Sequence, residues 1–247
     1  MPDPWIFPDW PAPPGVRAAV TTRDGPGVSA APFARLNLGL RSGDAAEAVS
    51  ANRGVLQSAL GLPAPPRWLR QVHGTQVAEL GPLGTSDEPQ ADAAVSHLPG
   101  TVLAILTADC LPVLFCADDG SEIGAAHAGW RGLAGGVLES TLAQMHAPRA
   151  RVLAWLGPCI GAPSYEVGAE VRAAFVDADA GAAPCFTATR PGHWRCDLAA
   201  LARRRLQAAG VERIHGGGFD TFTDPRLYSY RREGARSGRF ASLIWLA

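Results

Sequence analysis

Residues 107–136, TADCLPVLFCADDGSEIGAAHAGWRGLAGG, set the fold class of this chain. The apolar runs 102–106, 112–115 and 123–126, in and beside it, are short and bounded by turn residues, so they read as buried strands rather than surface helices. Cys110 follows one run and His127 ends another. Side chains at strand ends can face a cavity while rigid backbone lies behind them. Trp130-Arg131-Gly132 leads on into a helix, and His73 lies upstream in the turn-like Gln71-Val72-His73-Gly74.

Working outward, 16–22 reads as a strand followed by a turn over 22–27 that presents Arg23, and Asn37 sits between leucines as a turn residue. Asp44 with Glu47 forms a capping box that predicts a helix over 45–60, stopped by Gly61-Leu62-Pro63. Residues 68–73 are strand-like, 76–80 follow the Gly74-Thr75 turn, and 81–90 form a polar loop. Val137, Leu138, Leu142 and Met145 fall at helical spacing, which predicts one helix over 133–145. A buried strand over 149–155 and a turn over 157–161 come next, and Tyr165-Glu166-Val167-Gly168 opens a helix to about 176. Asp197 caps a helix through Gln207 that Gly210 closes, and 211–214 and 240–246 are the last strands. Strands and helices mix without strict alternation. This predicts an α/β or α+β fold with mixed sheets in one domain, 1–247.

Composition excludes several functions. The 22 basic residues are all Arg, so a Schiff-base lysine, a pyridoxal phosphate anchor and a Walker A lysine are impossible. A formal charge of -1 gives no basic field for nucleic acid and no cationic face for a membrane, which leaves a small molecule as the expected partner. Five cysteines (110, 116, 159, 185, 196) without CxxC spacing point to a reducing compartment. The N-terminal stretch lacks a basic region and an apolar core, so it is no secretory signal, and a cytoplasmic location is expected.

The residues leave the chemistry open. Two His and one Cys suffice for zinc with one position free for water or substrate, yet His73, Cys110 and His127 lack motif spacing. Cys110 and His127 could instead be a nucleophile and its base, or ordinary core residues. The small residues around Trp130, ahead of a helix start, suit an anion, and Arg131 would complete a phosphate site; the plainer alternative is an Arg salt bridge beside a glycine turn.

QVHG at 71–74, ADC at 108–110, HAGWRG at 127–132, the GP and IG of 157–161 with YEVG at 165–168, and SYRR at 229–232 together resemble the YfiH family. TTR at 21–23, LNLG at 36–39 and Asn52-Arg53 extend the resemblance over nearly the whole chain. It implies an α/β/β/α layered domain with zinc held by His73, Cys110 and His127. The family has been labelled laccase-domain or multicopper polyphenol oxidase and re-described as purine nucleoside phosphorylase with adenosine deaminase activity. Six His are too few for a blue-copper site plus a trinuclear cluster, which disfavours the laccase label. On the phosphorylase expectation, Arg131 holds phosphate and Asn37, Gln71 and Tyr165 address the purine nucleoside. Deamination would add an acid/base near the metal, with Glu166 the residue proposed. One departure is Asp220-Thr221-Phe222, where many relatives have Cys-Thr-Tyr. A metal-free Cys-His hydrolase or deamidase is the rival, since the fold also looks like that of Cys-His deamidating toxins, and a non-enzymatic binding protein is the third reading.

Overall fold

The structure, a computed structural model, describes residues 4–82 and 88–247. The polar loop expected over 81–90 thus lies partly, at 83–87, outside the described residues. In chain order the strands are β1 (Trp5–Ile6), β2 (Val16–Thr21), β3 (Val77–Glu79), β4 (Ala93–Ser96), β5 (Val102–Thr107), β6 (Leu111–Ala117), β7 (Ile123–Ala128), β8 (Val152–Leu156), β9 (Glu166–Gly168), β10 (Phe186–Arg190), β11 (His193–Cys196), β12 (Arg213–Gly216) and β13 (Phe240–Leu246). The helices are α1 (Ala46–Leu60), α2 (Trp130–Gly135), α3 (Val137–Gln144), α4 (Ala169–Val176), α5 (Leu198–Ala208) and α6 (Tyr230–Glu233).

Two sheets stack face to face. One has the order β1-β2-β13-β5 and the other β12-β8-β6-β7-β4-β3, the latter mixing parallel and antiparallel pairs. Their central strands are buried on both faces, and the alternation of side chains separates three cores. Phe240 and Ile244 of β13, with Leu103 and Ile105 of β5, meet Leu114, Cys116, Leu153 and Trp155 of the second sheet in the middle layer. Ala241, Leu243 and Trp245 point the other way, to Leu56 of α1. Val113, Phe115, Ala154 and Leu156 face α3, α4 and α5 on the far side. The fold is therefore a mixed α/β domain in an α/β/β/α arrangement, as the family resemblance implies, with the runs of 102–126 as its buried strands.

Several local expectations are corrected. The capping box is not made: Asp44 directs its carboxylate to Ser29 and Asn37, and α1 has no side-chain cap. The helix over 133–145 is two helices, because Gly136 turns left-handed with φ 98° between α2 and α3. Tyr165-Glu166-Val167-Gly168 does not open a helix; 166–168 pair with β11, and α4 starts at Ala169. Residues 68–73 form no strand. Instead the Gln71 side-chain amide does what a strand would do, donating to Leu106 O at 2.8 Å and accepting from Leu106 N at 2.9 Å along the open edge of β5. The last parallel strand lies at 213–216 rather than 211–214.

Candidate active site

The β5–β6 and β7–α2 connections leave the stacked sheets side by side, and there Cys110 and His127 meet. His127 follows Ile123 and Ala125 on the inter-sheet face of β7, and it is buried. His73 comes from the irregular segment after Leu69. Its Nε2 lies 3.8 Å from Cys110 Sγ, its ring meets the His127 ring edge-on with centroids 4.8 Å apart, and the ligand atoms of all three residues lie within 4.8 Å of one another. Residues 37, 54 and 17 positions apart in sequence are thus one cluster (110 − 73, 127 − 73, 127 − 110).

A buried carboxylate that the sequence does not signal makes this possible. Asp92 Oδ1 lies 2.8 Å from His127 Nδ1 and accepts the backbone N–H of His73 at 2.9 Å, while Oδ2 accepts those of Val72 and Gly74 at 3.1 and 2.7 Å. Bonded in this way, His127 has its Nδ1 occupied and its Nε2 free for the cluster. The backbone bonds also hold His73 at φ 62°, a left-handed conformation that a non-glycine residue rarely adopts. Asp109 is the other non-glycine residue of this kind among those described, at φ 91°, with Thr221 Oγ1 and the Arg231 amide each donating to its carboxylate at 2.6 Å. Both strained positions adjoin or belong to the cluster.

The charges are coupled. Burial alone would raise the Cys110 thiol, but the charge and hydrogen bond of His127, reinforced by His73, bring it down to about 6. Burial would lower His127, and the Cys110 thiolate with Asp92 raises it instead to about 9. A thiolate that needs a positive partner and two imidazoles within reach are a donor set suited to a metal cation. The backbone is shaped for the same approach: a Cβ on Gly129 would stand 2.9 Å from Cys110 Sγ and 3.0 Å from His73 Cδ2. The fit of these residues to a metal ion is good.

A cavity of about 410 Å³ opens over the cluster. Its walls are the loop 39–42, Gln71, the segment 106–110, Tyr165, and Tyr230, Arg231 and Arg239 from the C-terminal part. Of the residues expected to act, His73, Cys110, His127, Gln71 and Tyr165 line it. Burial pushes the Tyr165 phenol up. Three others are elsewhere. Asn37 is buried behind the 39–42 loop, bonded to Ser42, Asp44 and Gly39. Glu166 turns its carboxylate to Thr189 and Arg190 and is not part of the cavity wall. Arg131 is exposed, its guanidinium 4.4 Å from the Trp130 ring centroid, also off the wall. Asp220 accepts from Gly161 N, Phe222 N and Ser164 Oγ, pinning the end of the 157–161 turn, whose Ile160 lines the cavity. Asp92, Asp109 and Arg239 are the polar residues that local sequence leaves unmarked, because their partners lie far along the chain.

The sequence matches, over residues 17–247, the family described as multi-copper polyphenol oxidoreductase laccase. It is 56% identical over 253 aligned positions to a protein of Xylella fastidiosa named purine nucleoside phosphorylase, covering 98% of this chain and 97% of the relative. It is 48% identical to purine nucleoside phosphorylase YfiH of Escherichia coli, with 98% of each covered. Among solved structures, a Neisseria meningitidis protein superposes with a TM-score of 0.93 at 44% identity over 99% of both chains, and YfiH of Bacillus licheniformis with 0.87 at 27% identity over 94% and 93%. Matched along its length in both sequence and fold, this chain belongs to the YfiH family, the laccase-like family with relatives named purine nucleoside phosphorylase.

Proposed function

We propose that the protein is a zinc-dependent purine nucleoside phosphorylase whose reaction takes place over His73, Cys110 and His127. The observation that carries this reading is the cavity of about 410 Å³ that joins the His-Cys-His cluster to three arginines, Arg41, Arg231 and Arg239. Pockets of roughly 300–1,000 Å³ suit small ligands, and a nucleoside with phosphate needs both apolar wall and cationic contacts. Near identity of length and 56% identity to a phosphorylase-named relative support the same class.

In the reaction, a phosphate oxygen forms a bond to the ribose anomeric carbon as the bond from that carbon to purine N9 breaks. The electron pair leaves with the purine, which takes up the proton that the hydrogen phosphate gives up, and the products are free base and ribose 1-phosphate. A zinc ion held by the three side chains would supply Lewis acidity. The chain's own contribution is placement. Tyr165 and Tyr230, each with an arginine over its ring, are the aromatic wall for a base, the 39–42 loop closes one side, and the arginines offset the charge of phosphate. Asp92 keeps His127 in one tautomer and His73 in reach.

Zinc suits the donors better than a copper oxidase centre does. Laccase chemistry requires further His-rich copper sites, and among the described residues this is the one group of three or more ligand-type side chains close enough for a metal. His97 and His146 form a separate surface pair. No helix among the described residues is long and apolar enough to cross a membrane, and all five cysteines are free.

The test is a panel of inosine, guanosine and adenosine, assayed with and without phosphate. Base release that requires phosphate supports phosphorolysis. Inosine formed from adenosine without phosphate would be the deaminase activity. Nucleosides left intact by a zinc-loaded, folded protein would remove this reading and return attention to a Cys-His hydrolase.

A further inference from the structure

Asn37 is fully buried, and its hydrogen bonds lead to a cation. Asn37 Oδ1 accepts the backbone N–H of Arg239 at 2.8 Å and that of Gly39 at 3.1 Å, and Leu38 N donates to Arg239 O at 3.0 Å. These bonds press the 37–42 loop against the Arg239 stem. A Cβ on Gly39 would stand 2.6 Å from Arg239 Cγ, so the contact tolerates no larger residue. Arg239 Nη1 donates to the carbonyls of Ser237 and Gly238, both at 2.8 Å, which fixes the guanidinium on the cavity wall.

Among the described residues, no carboxylate forms an ion pair with Arg239, and its Nε and Nη2 meet no protein acceptor. Arg239 lies over the Tyr230 ring, 5.8 Å from its centroid, much as Arg231 lies over the Tyr165 ring, and that contact leaves its remaining N–H groups free. The other arginines differ in their polar partners: Arg41 is paired with Glu88 at 2.7 Å, and Arg231 donates to the Glu166 carbonyl. Arg131 lies outside the cavity. Burial disfavours the Arg239 cation and lowers its pKa, while the charges of Cys110 and Asp109 act on it from nearby. The guanidinium is therefore a half-buried cation beside the His-Cys-His cluster, held by neutral carbonyls on one side and offered to the cavity on the other. An anion bound there would replace lost hydration with bidentate hydrogen bonds.

We propose that Arg239 binds the phosphate co-substrate, with the 37–42 loop as its rigid backing. This rests on the phosphorylase reading. In the zinc-loaded enzyme, Arg239→Ala should raise the phosphate KM roughly ten- to hundredfold, the loss expected for one charge-assisted contact. Arg239→Lys should recover part of the phosphate KM, because a point charge replaces a fork. Arg131→Ala should leave it unchanged. Calorimetric titration with inorganic phosphate alone gives a readout independent of turnover, and the heat should vanish in Arg239→Ala. If wild-type protein cleaves no nucleoside yet loses phosphate binding in Arg239→Ala, the phosphorylase reading fails and the anion site stands. An unchanged phosphate KM or binding heat in folded Arg239→Ala overturns the assignment, as does an equal rise in Arg131→Ala. Should Arg239→Ala not fold, Arg239→Lys decides: wild-type phosphate KM and binding heat in that variant also overturn it.

Discussion

Asp92 holds His127 by a 2.8 Å contact from Oδ1 to Nδ1, and the same oxygen accepts the backbone N–H of His73. One carboxylate thereby orients two of the three side chains of the cluster. All of its polar contacts are with donors, so Asp92→Asn, which replaces an acceptor by an NH2 group, must break at least one of them. Metal affinity is expected to fall roughly 10- to 100-fold, the usual effect of losing such an outer partner. Competition with a chromogenic chelator measures it. Wild-type affinity in this variant would mean that the imidazoles are held by their own packing.

Gly129 leaves room for the cluster to close. A methyl group there would press on Cys110 Sγ and His73 Cδ2, so Gly129→Ala should lose metal while keeping its secondary structure. Metal content by elemental analysis beside far-ultraviolet circular dichroism tests this, and full occupancy would show that the turn can yield.

The C-terminal wall of the cavity has a pH-dependent tie. Burial would raise Glu233, but hydrogen bonds and charge from Arg232 and Arg23, at 3.0 and 2.6 Å, outweigh it and hold the carboxyl below its ordinary value. Because the folded value is depressed, this stabilisation is complete above the unfolded glutamate value of roughly 4.3 and fades as pH falls through the folded one. Glu233→Gln should therefore cost about 1–2 kcal/mol at neutral pH and almost nothing near the acid end of the transition. Urea unfolding at several pH values reads the difference, and a cost independent of pH would point to packing instead of charge.

Much of this architecture was legible in the sequence because the signals were local. The runs at 102–106, 112–115 and 123–126 became β5, β6 and β7, and Asp197 caps α5 by accepting from Ala200 N. His73, Cys110 and His127 could be named from residue type and family resemblance. Their joint geometry could not, because Asp92 works through residues about 20 and 35 positions away, and Ala91-Asp92-Ala93 reads as an ordinary strand start. Arg239 is hidden in the same way: its backing comes from Asn37, 202 residues earlier. Gln71 misled the strand assignment because a side-chain amide can satisfy a strand edge as backbone does. The apolar positions read over 133–145 all follow Gly136, in α3 and at its end, and such a repeat cannot register a left-handed residue that separates them from a preceding helix.

Copper should not turn the protein into a laccase. Copper-loaded protein is expected to show no sustained phenol oxidation, since the described residues supply one His-Cys-His group and no trinuclear cluster. Oxygen uptake with a phenolic substrate checks this. Sustained turnover abolished by changing His97 and His146 would assign redox chemistry to the surface pair.

The most direct test of the account is phosphate-dependent release of hypoxanthine from inosine by metal-stripped protein, before and after one equivalent of zinc is restored. The account predicts little release from the stripped protein, recovery with zinc, and no recovery in Cys110→Ser. Full release by stripped wild-type protein would contradict it and make Cys110 and His127 the working pair of a metal-free enzyme.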